Sequence, residues 1–581
     1  MSCDLLVFNI SEESSGSPNV FVRKDWLNIL DNQNGNYASN QSVIETSSLS
    51  NSNKFLNYRE AYLHVPLLLS IVSNDDNNGF LPATAGTSAD TAITMKSAFL
   101  NMIHSMTIDY NGVTITQQQN FLQMYNCFQL LTTFSYQDLL TQGTTIGFYP
   151  DDPDSWTFEA TSSTHGIGTC NNTNLIVDDV VSGKDFAGRS GLGNTGLRER
   201  QLQYIYDPDG IVGGDGGQYT ALQTTTHAKN LYRSHLFEKR NAAAGVRGRI
   251  QHHLIAQINL KHLHSFWDNV PLLKGAFMKI TIQLANSSCT FTVNAHDHAT
   301  AADRKKMNLT SVNCPLGSVL PFMVSSADGS NGGAGLAPAA ATTNTATYVA
   351  NVSVGNTCLD TTIADKLATG PLSQNIFLYV PAYVLNPTFE QAMLSSPVKQ
   401  IKYTDIYQYQ LLEQENNFNH LITNGIAGLR SILIVPFHAR SANALPAGVA
   451  TYQSPFDSAG CGTSSPLCHL SNFNIVVSGQ NVIYQQQKYS FEQFNHNLFG
   501  VNGVNGGQID GLSSGLISRK HFDNNYNMYY VDLSRQLPVE KSVPKSIQIV
   551  GQVEGTKKLD FMIFVEYDVE ISVDVLTGVR V

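Results

Sequence analysis

Gly511-Leu512-Ser513-Ser514-Gly515 has the form Gly-x-Ser-x-Gly, the turn on which many hydrolases present a nucleophilic serine. That chemistry needs a strand before the turn, a helix after it, and an acid and then a histidine further along. Here glycine and serine crowd the motif and His521 precedes Asp523, so a flexible loop is expected. Gly191-Leu192-Gly193-Asn194-Thr195-Gly196 has the spacing of a pyrophosphate-binding turn, but no strand leads into it and no strand-helix-strand pattern surrounds it. No Walker A sequence occurs, which sets aside ATP-driven work. His252, His253, His262 and His264 lie near one another, and His296 and His298 flank Asp297. A metal site needs such ligands to converge, and polar interface or surface histidines are the preferred reading. Asp207, Asp209 and Asp215, or Asp151, Asp152 and Asp154, could offer oxygens to calcium, but neither set has the EF-hand spacing. The expectation is no catalytic, cofactor-binding or metal-binding residue, and no cofactor.

Lys229, Arg233, Lys239, Arg240, Arg247 and Arg249 form the one clear basic stretch, in a chain whose net charge is -11. Nucleic acid is held by clustered Lys and Arg that release counterions, so the acidic total favours a solvated or inter-subunit loop and no specific nucleic-acid binding. Charged residues make up 14% of the chain, against ~25% in a typical soluble protein. A polar but uncharged surface suits broad contacts between copies, because such groups lose less on desolvation and do not repel. The cysteines Cys3, Cys127, Cys170, Cys289, Cys314, Cys358, Cys461 and Cys468 are scattered without a Cys-x-x-Cys pair and read as reduced thiols made in a cytosolic or nuclear compartment. No secretory signal is visible, and apolar runs such as Val65 to Val72 are too short for a membrane span. A length of 581 residues argues for two domains.

The elements that must position any site show a weak internal duplication. Ala61 to Val72 and Ser431 to Ala439 are apolar strands each interrupted by one proline, with Val65-Pro66 matching Val435-Pro436. Met106 to Gln119 and Phe473 to Gln487 each read as strand, tight turn, strand and three glutamines. Asn111-Gly112 and Ser478-Gly479 sit where a type I′ turn demands positive φ at both central residues. A helical pattern follows each: Phe121, Tyr125 and Phe128, then Phe491, Phe494 and Leu498. The matches are about 370 residues apart.

Each copy is expected to close with a Phe-Met strand, Gly275 to Leu284 and Leu559 to Val573. In the second, Phe561, Ile563, Val565, Tyr567, Val569, Ile571, Val573 and Val575 fall on one face and Glu566, Asp568, Glu570, Ser572 and Asp574 on the other, a half-buried strand in which Val569→Asp is expected to leave the protein insoluble. The reading is an all-β chain of two consecutive eight-stranded jelly rolls with short helices and long loops: an N-terminal arm over 1-53, a first jelly roll over 54-307, a connector and loop over 308-370 and a second jelly roll over 371-581.

Asn53 to Val72, Ser97 to Ser135, Ile146 to Trp156 with His165 to Asn172, and Phe266 to Leu284 resemble the double jelly-roll major capsid proteins of virophages and polinton-like viruses. The resemblance covers most of the first half and implies a homotrimer with six barrels in a pseudo-hexagonal ring. Such capsomers tile an icosahedral virion around double-stranded DNA, beside neighbouring capsomers and vertex (penton) and minor capsid proteins, after synthesis in host cytoplasm or nucleus. The competing reading is a β-sandwich carbohydrate-binding or polysaccharide-acting protein. It is weakened by having only Trp26, Trp156 and Trp267 as tryptophan platforms, and by acidic strand residues without an evident partner.

Overall fold

The computed structural model describes residues 20–50, 54–73, 91–116, 120–151, 249–295, 307–314, 319–326, 345–355, 357–363, 374–439, 468–483, 489–504, 514–534, 542–554 and 558–577, with a few short stretches and single residues between them. The first part of the chain supplies β1 (Phe21–Leu30), β2 (Gln41–Glu45), β3 (Phe55–Leu56), β4 (Tyr62–Ser73), β5 (Thr91–Met95), β6 (Ile103–Tyr110), β7 (Val113–Thr116), β8 (Glu238–Lys239), β9 (Arg249–Asn259), β10 (Met278–Leu284), β11 (Ser287–Ala295), β12 (Met307–Asn313), β13 (Phe322–Ser326), β14 (Thr345–Val354) and β15 (Phe377–Leu385). The rest supplies β16 (Val398–Gln414), β17 (Asn417–Ile426), β18 (Leu429–His438), β19 (Leu470–Val477), β20 (Gln480–Asn481), β21 (Tyr529–Asp532), β22 (Lys545–Val553) and β23 (Leu559–Asp574). Strict alternation makes several of these strands. Met278, Ile280, Ile282 and Leu284 of β10 are buried while Lys279, Thr281 and Gln283 are half-exposed, as a sheet with one face on the core requires.

Strand pairing in the second part is nested. The first strand β16 pairs with the last, β23; β17 pairs with β22, β18 with β21, and β19 with β20. The result is two four-stranded sheets, β16-β23-β18-β21 and β17-β22-β19-β20. Lettered B to I along the chain, these are B-I-D-G and C-H-E-F, the order produced when one long antiparallel hairpin is rolled over a core. The same nesting joins β1 to β15, β2 to β10, β4 to β9, and β6 to β7 in the first part. The chain folds as a double jelly roll. Both E-F hairpins turn as expected, with Asn111 and Gly112 at φ 48° and 80° and Ser478 and Gly479 at 48° and 83°.

The pairing places several segments differently from the sequence reading. Residues read as an N-terminal arm contain strands B and C, β1 and β2, bonded to β15 and β10. Residues read as a connector are an insertion between strands H and I of the first roll. There β14 lies on β4, β11 on β14, β12 on β11, and β13 on β5. β15, assigned to the second copy, is the I strand of the first. The linking segment is instead the helix Pro387–Ser395, started by Asn386, whose side chain accepts the Thr388 amide at 3.2 Å, and by proline at the first turn. The displaced boundary between the two copies has one identifiable source. Gly275 to Leu284 contains β10, an H strand whose counterpart is β22, whereas Leu559 to Val573 belongs to the I strand β23, so the shared Phe-Met step joins unlike strands.

The Val-Pro match is also one residue out of step. Pro66 pairs with the exposed Ile255 on the outer face of its sheet, while Pro436 pairs with Phe561, whose ring meets Phe418 of the opposite sheet inside the roll. A one-residue slip exchanges the faces of a strand. A single apolar cluster fills both rolls and runs through their junction. It is carried across by α1 (Leu122–Thr133), the helix after the first E-F hairpin; α2 (Phe491–Val504) follows the second.

Candidate assembly surfaces

The outer face of each B-I-D-G sheet is where the two rolls differ. In the second roll, Met562, Phe564 and Glu566 of β23, Leu433 and Val435 of β18, and Tyr530 of β21 point away from their own core and are all buried. Helix α1 of the first roll covers part of this face. Tyr125 lies 5.8 Å from the Phe564 ring, Phe128 lies 5.5 Å from Tyr530, and the Tyr125 hydroxyl donates to Glu566 Oε1 at 2.7 Å. Gln129 Nε2 donates in turn to the Tyr125 oxygen at 2.5 Å. Burial raises the Glu566 carboxyl above its ordinary value, against the pull of the Tyr125 hydrogen bond and the charge of Arg430. Strand β23 is therefore buried on both faces over Leu559–Glu566 and alternates only beyond it. Glu566, expected on an outer face without a partner, is held by the neighbouring roll.

A second contact secures the junction. Ser265, in the short helix Ser265–Asn269, donates to the Thr404 carbonyl at 2.7 Å and accepts the Thr404 amide at 2.8 Å. His264 Nε2 lies 3.3 Å from Asp405 Oδ1, while Asp405 Oδ2 accepts the Tyr567 hydroxyl at 2.9 Å. The Tyr403 hydroxyl reaches the Ile115 carbonyl at 2.7 Å.

In the first roll the corresponding face is open at one end. Trp26 and Leu30 of β1, Phe377 and Tyr379 of β15, Tyr62 and His64 of β4 and Ile255 of β9 lie side by side across four strands. Trp26 is 49% exposed, Ile255 41% and Leu30 40%, and the other four are half-buried. Tyr62 stacks on Tyr379 with centroids 5.1 Å apart and planes 13° apart, Trp26 lies 5.6 Å from Tyr62, and His64 meets Phe377 and Tyr379 edge-on. Lys24 Nζ stands 5.2 Å from the Trp26 ring and pairs with Glu60 at 2.7 Å. Contiguous half-exposed aromatics on the outer face of a sheet mark an interaction surface. The sequence reading named Trp26 only as one of three scattered tryptophans and did not single out the others, although Tyr62 and His64 alternate with Leu63 and Val65, and Phe377 and Tyr379 with Leu378 and Val380, which is the signal that identifies them.

Among the described residues the chemical motifs do not come together. Ser514 donates to the Ile517 carbonyl at 2.5 Å, and Gly515, at φ 65°, brings its backbone against the Leu131 and Thr132 carbonyls at the end of α1; Gly511, Leu512 and Ser513 lie outside the described residues. Of the other glycine motif only Gly196 is described, packed on the Pro150 backbone. His252 and His253 are consecutive on β9 and face opposite sides, His262 lies edge-on to Phe134 at 6.0 Å, and His264 caps the helix Ser265–Asn269 by accepting the Phe266 amide at Nδ1. Asp151 is ion-paired with the buried Arg200 at 2.6 Å. Among the described residues no group of three or more His, Cys, Asp or Glu could hold a metal, and no helix is long and apolar enough to cross a membrane. His296, Asp297, His298, Asp152, Asp154, Asp207, Asp209, Asp215, Lys229, Arg233, Arg240 and Arg247 lie outside the described residues, while Lys239 and Arg249 are backbone partners in β8 and β9.

No protein-family model matches the chain, and no curated protein matches it. Solved structures do. The chain is similar to one in the cryo-EM structure of the Sputnik virophage, at 12% identity and a TM-score of 0.46, over 98% of this chain and 90% of that one. It is similar to the mavirus major capsid protein at 10% identity and 0.42, over 98% and 90%, and to the Faustovirus major capsid protein at 10% and 0.41, over 96% and 91%. The double jelly roll itself rests on the nested strand pairing.

Proposed function

We propose that this chain is a major capsid protein without catalytic activity. Its copies join head to tail into homotrimers, and the trimers tile an icosahedral virion shell around double-stranded DNA, with vertex and minor capsid proteins as further partners. The observation that carries the reading is the contrast between equivalent faces. The outer B-I-D-G face of the second roll is buried, partly under a helix of the first roll, whereas the same face of the first roll presents Trp26, Tyr62, Phe377 and Tyr379 half-exposed. A second roll from another copy fits there as the first roll's helix fits the face within the chain, and a head-to-tail contact of this kind closes a ring when its rotation allows. On this reading the first roll, with its insertion, runs from about Phe21 to Leu385 and the second from about Val398 to Asp574.

Light-scattering mass and negative-stain images of purified protein test it. Trimers of hexagonal outline are expected, and the double variant Trp26→Asp, Tyr379→Asp is expected to be monomeric with an unchanged circular dichroism spectrum. A monomeric parent protein, or trimers indifferent to both substitutions, would count against it. A glycan-binding screen on the same sample is expected to give no ligand.

A further inference from the structure

The insertion of the first roll ends in a sheet edge that the chain can lock covalently. Among the described residues β12 pairs with β11 alone and ends the nine-stranded sheet. The register that sets Thr290 opposite Asn313 brings Cys289 opposite Cys314 one step further on. Both cysteines are buried in the apolar cluster that holds Phe291, Tyr348 and Ala350, and their sulfurs are 3.0 Å apart. Directly opposed Cβ atoms lie ~4.5–5.5 Å apart in an antiparallel pair, close to the ~3.5–4.5 Å spanned by a disulfide. A small rotation about each Cα–Cβ bond suffices to close the remaining distance.

We propose that Cys289 and Cys314 are a disulfide-forming pair that staples this edge when the folded chain meets a low-molecular-weight disulfide such as oxidised glutathione. Cys314, 8% exposed against 0% for Cys289, makes the first attack. Its sulfur bonds to one glutathione sulfur and the glutathione S–S bond breaks, releasing one glutathione as a thiol. The Cys289 sulfur then attacks the Cys314 sulfur of the mixed disulfide, and the second glutathione leaves as a thiol. Two protein thiols are oxidised, one small disulfide is reduced, and the two protein protons end on the two glutathiones. Burial, reinforced by Cys314, pushes the Cys289 thiol well above its ordinary range against the pull of Lys96, so the second step is slow in the closed sheet and a reducing compartment keeps the pair as thiols. The staple ties β12 to β11, and β11 is bonded through β14 to β4 of the roll itself. The proposal does not depend on shell assembly.

The test is incubation of the native full chain with oxidised glutathione, followed by alkylation, proteolysis and mass spectrometry. The expected product is a peptide pair linked through Cys289 and Cys314, lost on treatment with dithiothreitol, with a thermal midpoint higher than that of the reduced chain. Cys289→Ser, which leaves the first sulfur without its resolving partner, is expected to accumulate glutathione on Cys314. Parent protein that stays folded yet yields no such linked peptide, or that carries glutathione on Cys314 without resolving it, would overturn the proposal. So would linkage of either cysteine only to others in the chain.

Discussion

The Tyr125 hydroxyl donates to Glu566 Oε1 at 2.7 Å, joining helix α1 of the first roll to the I strand of the second across 441 positions of sequence. Because burial raises the Glu566 carboxyl, the folded chain binds its proton more tightly than the unfolded chain does. Its contribution to stability is thus fully present below the ordinary carboxyl range and is lost as pH rises through the raised value. Glu566→Gln keeps the acceptor for Tyr125 without the charge, so it should raise the urea midpoint at neutral pH and flatten this part of the pH dependence. Urea titrations at several pH values check it, and parallel curves for the two proteins would refute the assignment.

His262 behaves in the opposite sense. Burial, helped by Lys261 and opposed by Asp268, pushes its imidazole down to about 4, so the unfolded chain takes up the proton first. The stability it contributes is present above the ordinary histidine value and drains away as pH falls toward about 4. His262→Gln is expected to reduce the loss of thermal midpoint across that interval, read by scanning calorimetry.

Two glycines at positive φ should respond unequally to alanine. At Gly112 nothing lies within 4 Å of an added Cβ, so Gly112→Ala is expected to cost only the left-handed backbone strain, ~1–2 kcal/mol. At Gly515 the Cβ runs into the carbonyls of Leu131 and Thr132, and the loop must leave the end of α1. Gly515→Ala should therefore be the more destabilising in chemical denaturation.

Along β23, cost should follow burial on both faces. Ile563 is wholly buried where the strand has cover on each side, so Ile563→Ala is expected to cost ~2–5 kcal/mol. Val569 is half-buried in the stretch that alternates with exposed acids. Val569→Asp is accordingly expected to give soluble protein of lowered stability, in place of the insolubility that its alternation pattern alone suggests. Expression yield and denaturation midpoints of the two variants separate these outcomes.

Local signals carried much of the fold. Asn111-Gly112 and Ser478-Gly479 specify their turns through backbone sterics, and the helices after them were visible in Phe121, Tyr125 and Phe128 and in Phe491, Phe494 and Leu498. Long-range pairing was harder to read. Nothing local in Phe21–Leu30 announces a partner at Phe377–Leu385, and the charged Arg23, Lys24 and Asp25 make that strand resemble an arm because it lies at a sheet edge. The insertion misled through composition, since the glycine-, alanine- and threonine-rich sequence that leads up to Tyr348 masked the signal of β14, whose Tyr348, Ala350, Val352 and Val354 are buried. The aromatic face went unseen because its residues come from four strands brought together only by register.

The nested pairing also sets an order of events during synthesis. β1 leaves the ribosome well before its bonded neighbour β15, which emerges only after the whole insertion, and β16 likewise waits for β23. Each roll is therefore completed only by its own last strand, and until then its opening strand lacks its native partner in the nascent chain. Contacts so distant in sequence fold slowly and leave strands open to wrong partners, so the yield of native protein should depend on translation rate and chaperone supply more than on the stability of the finished molecule.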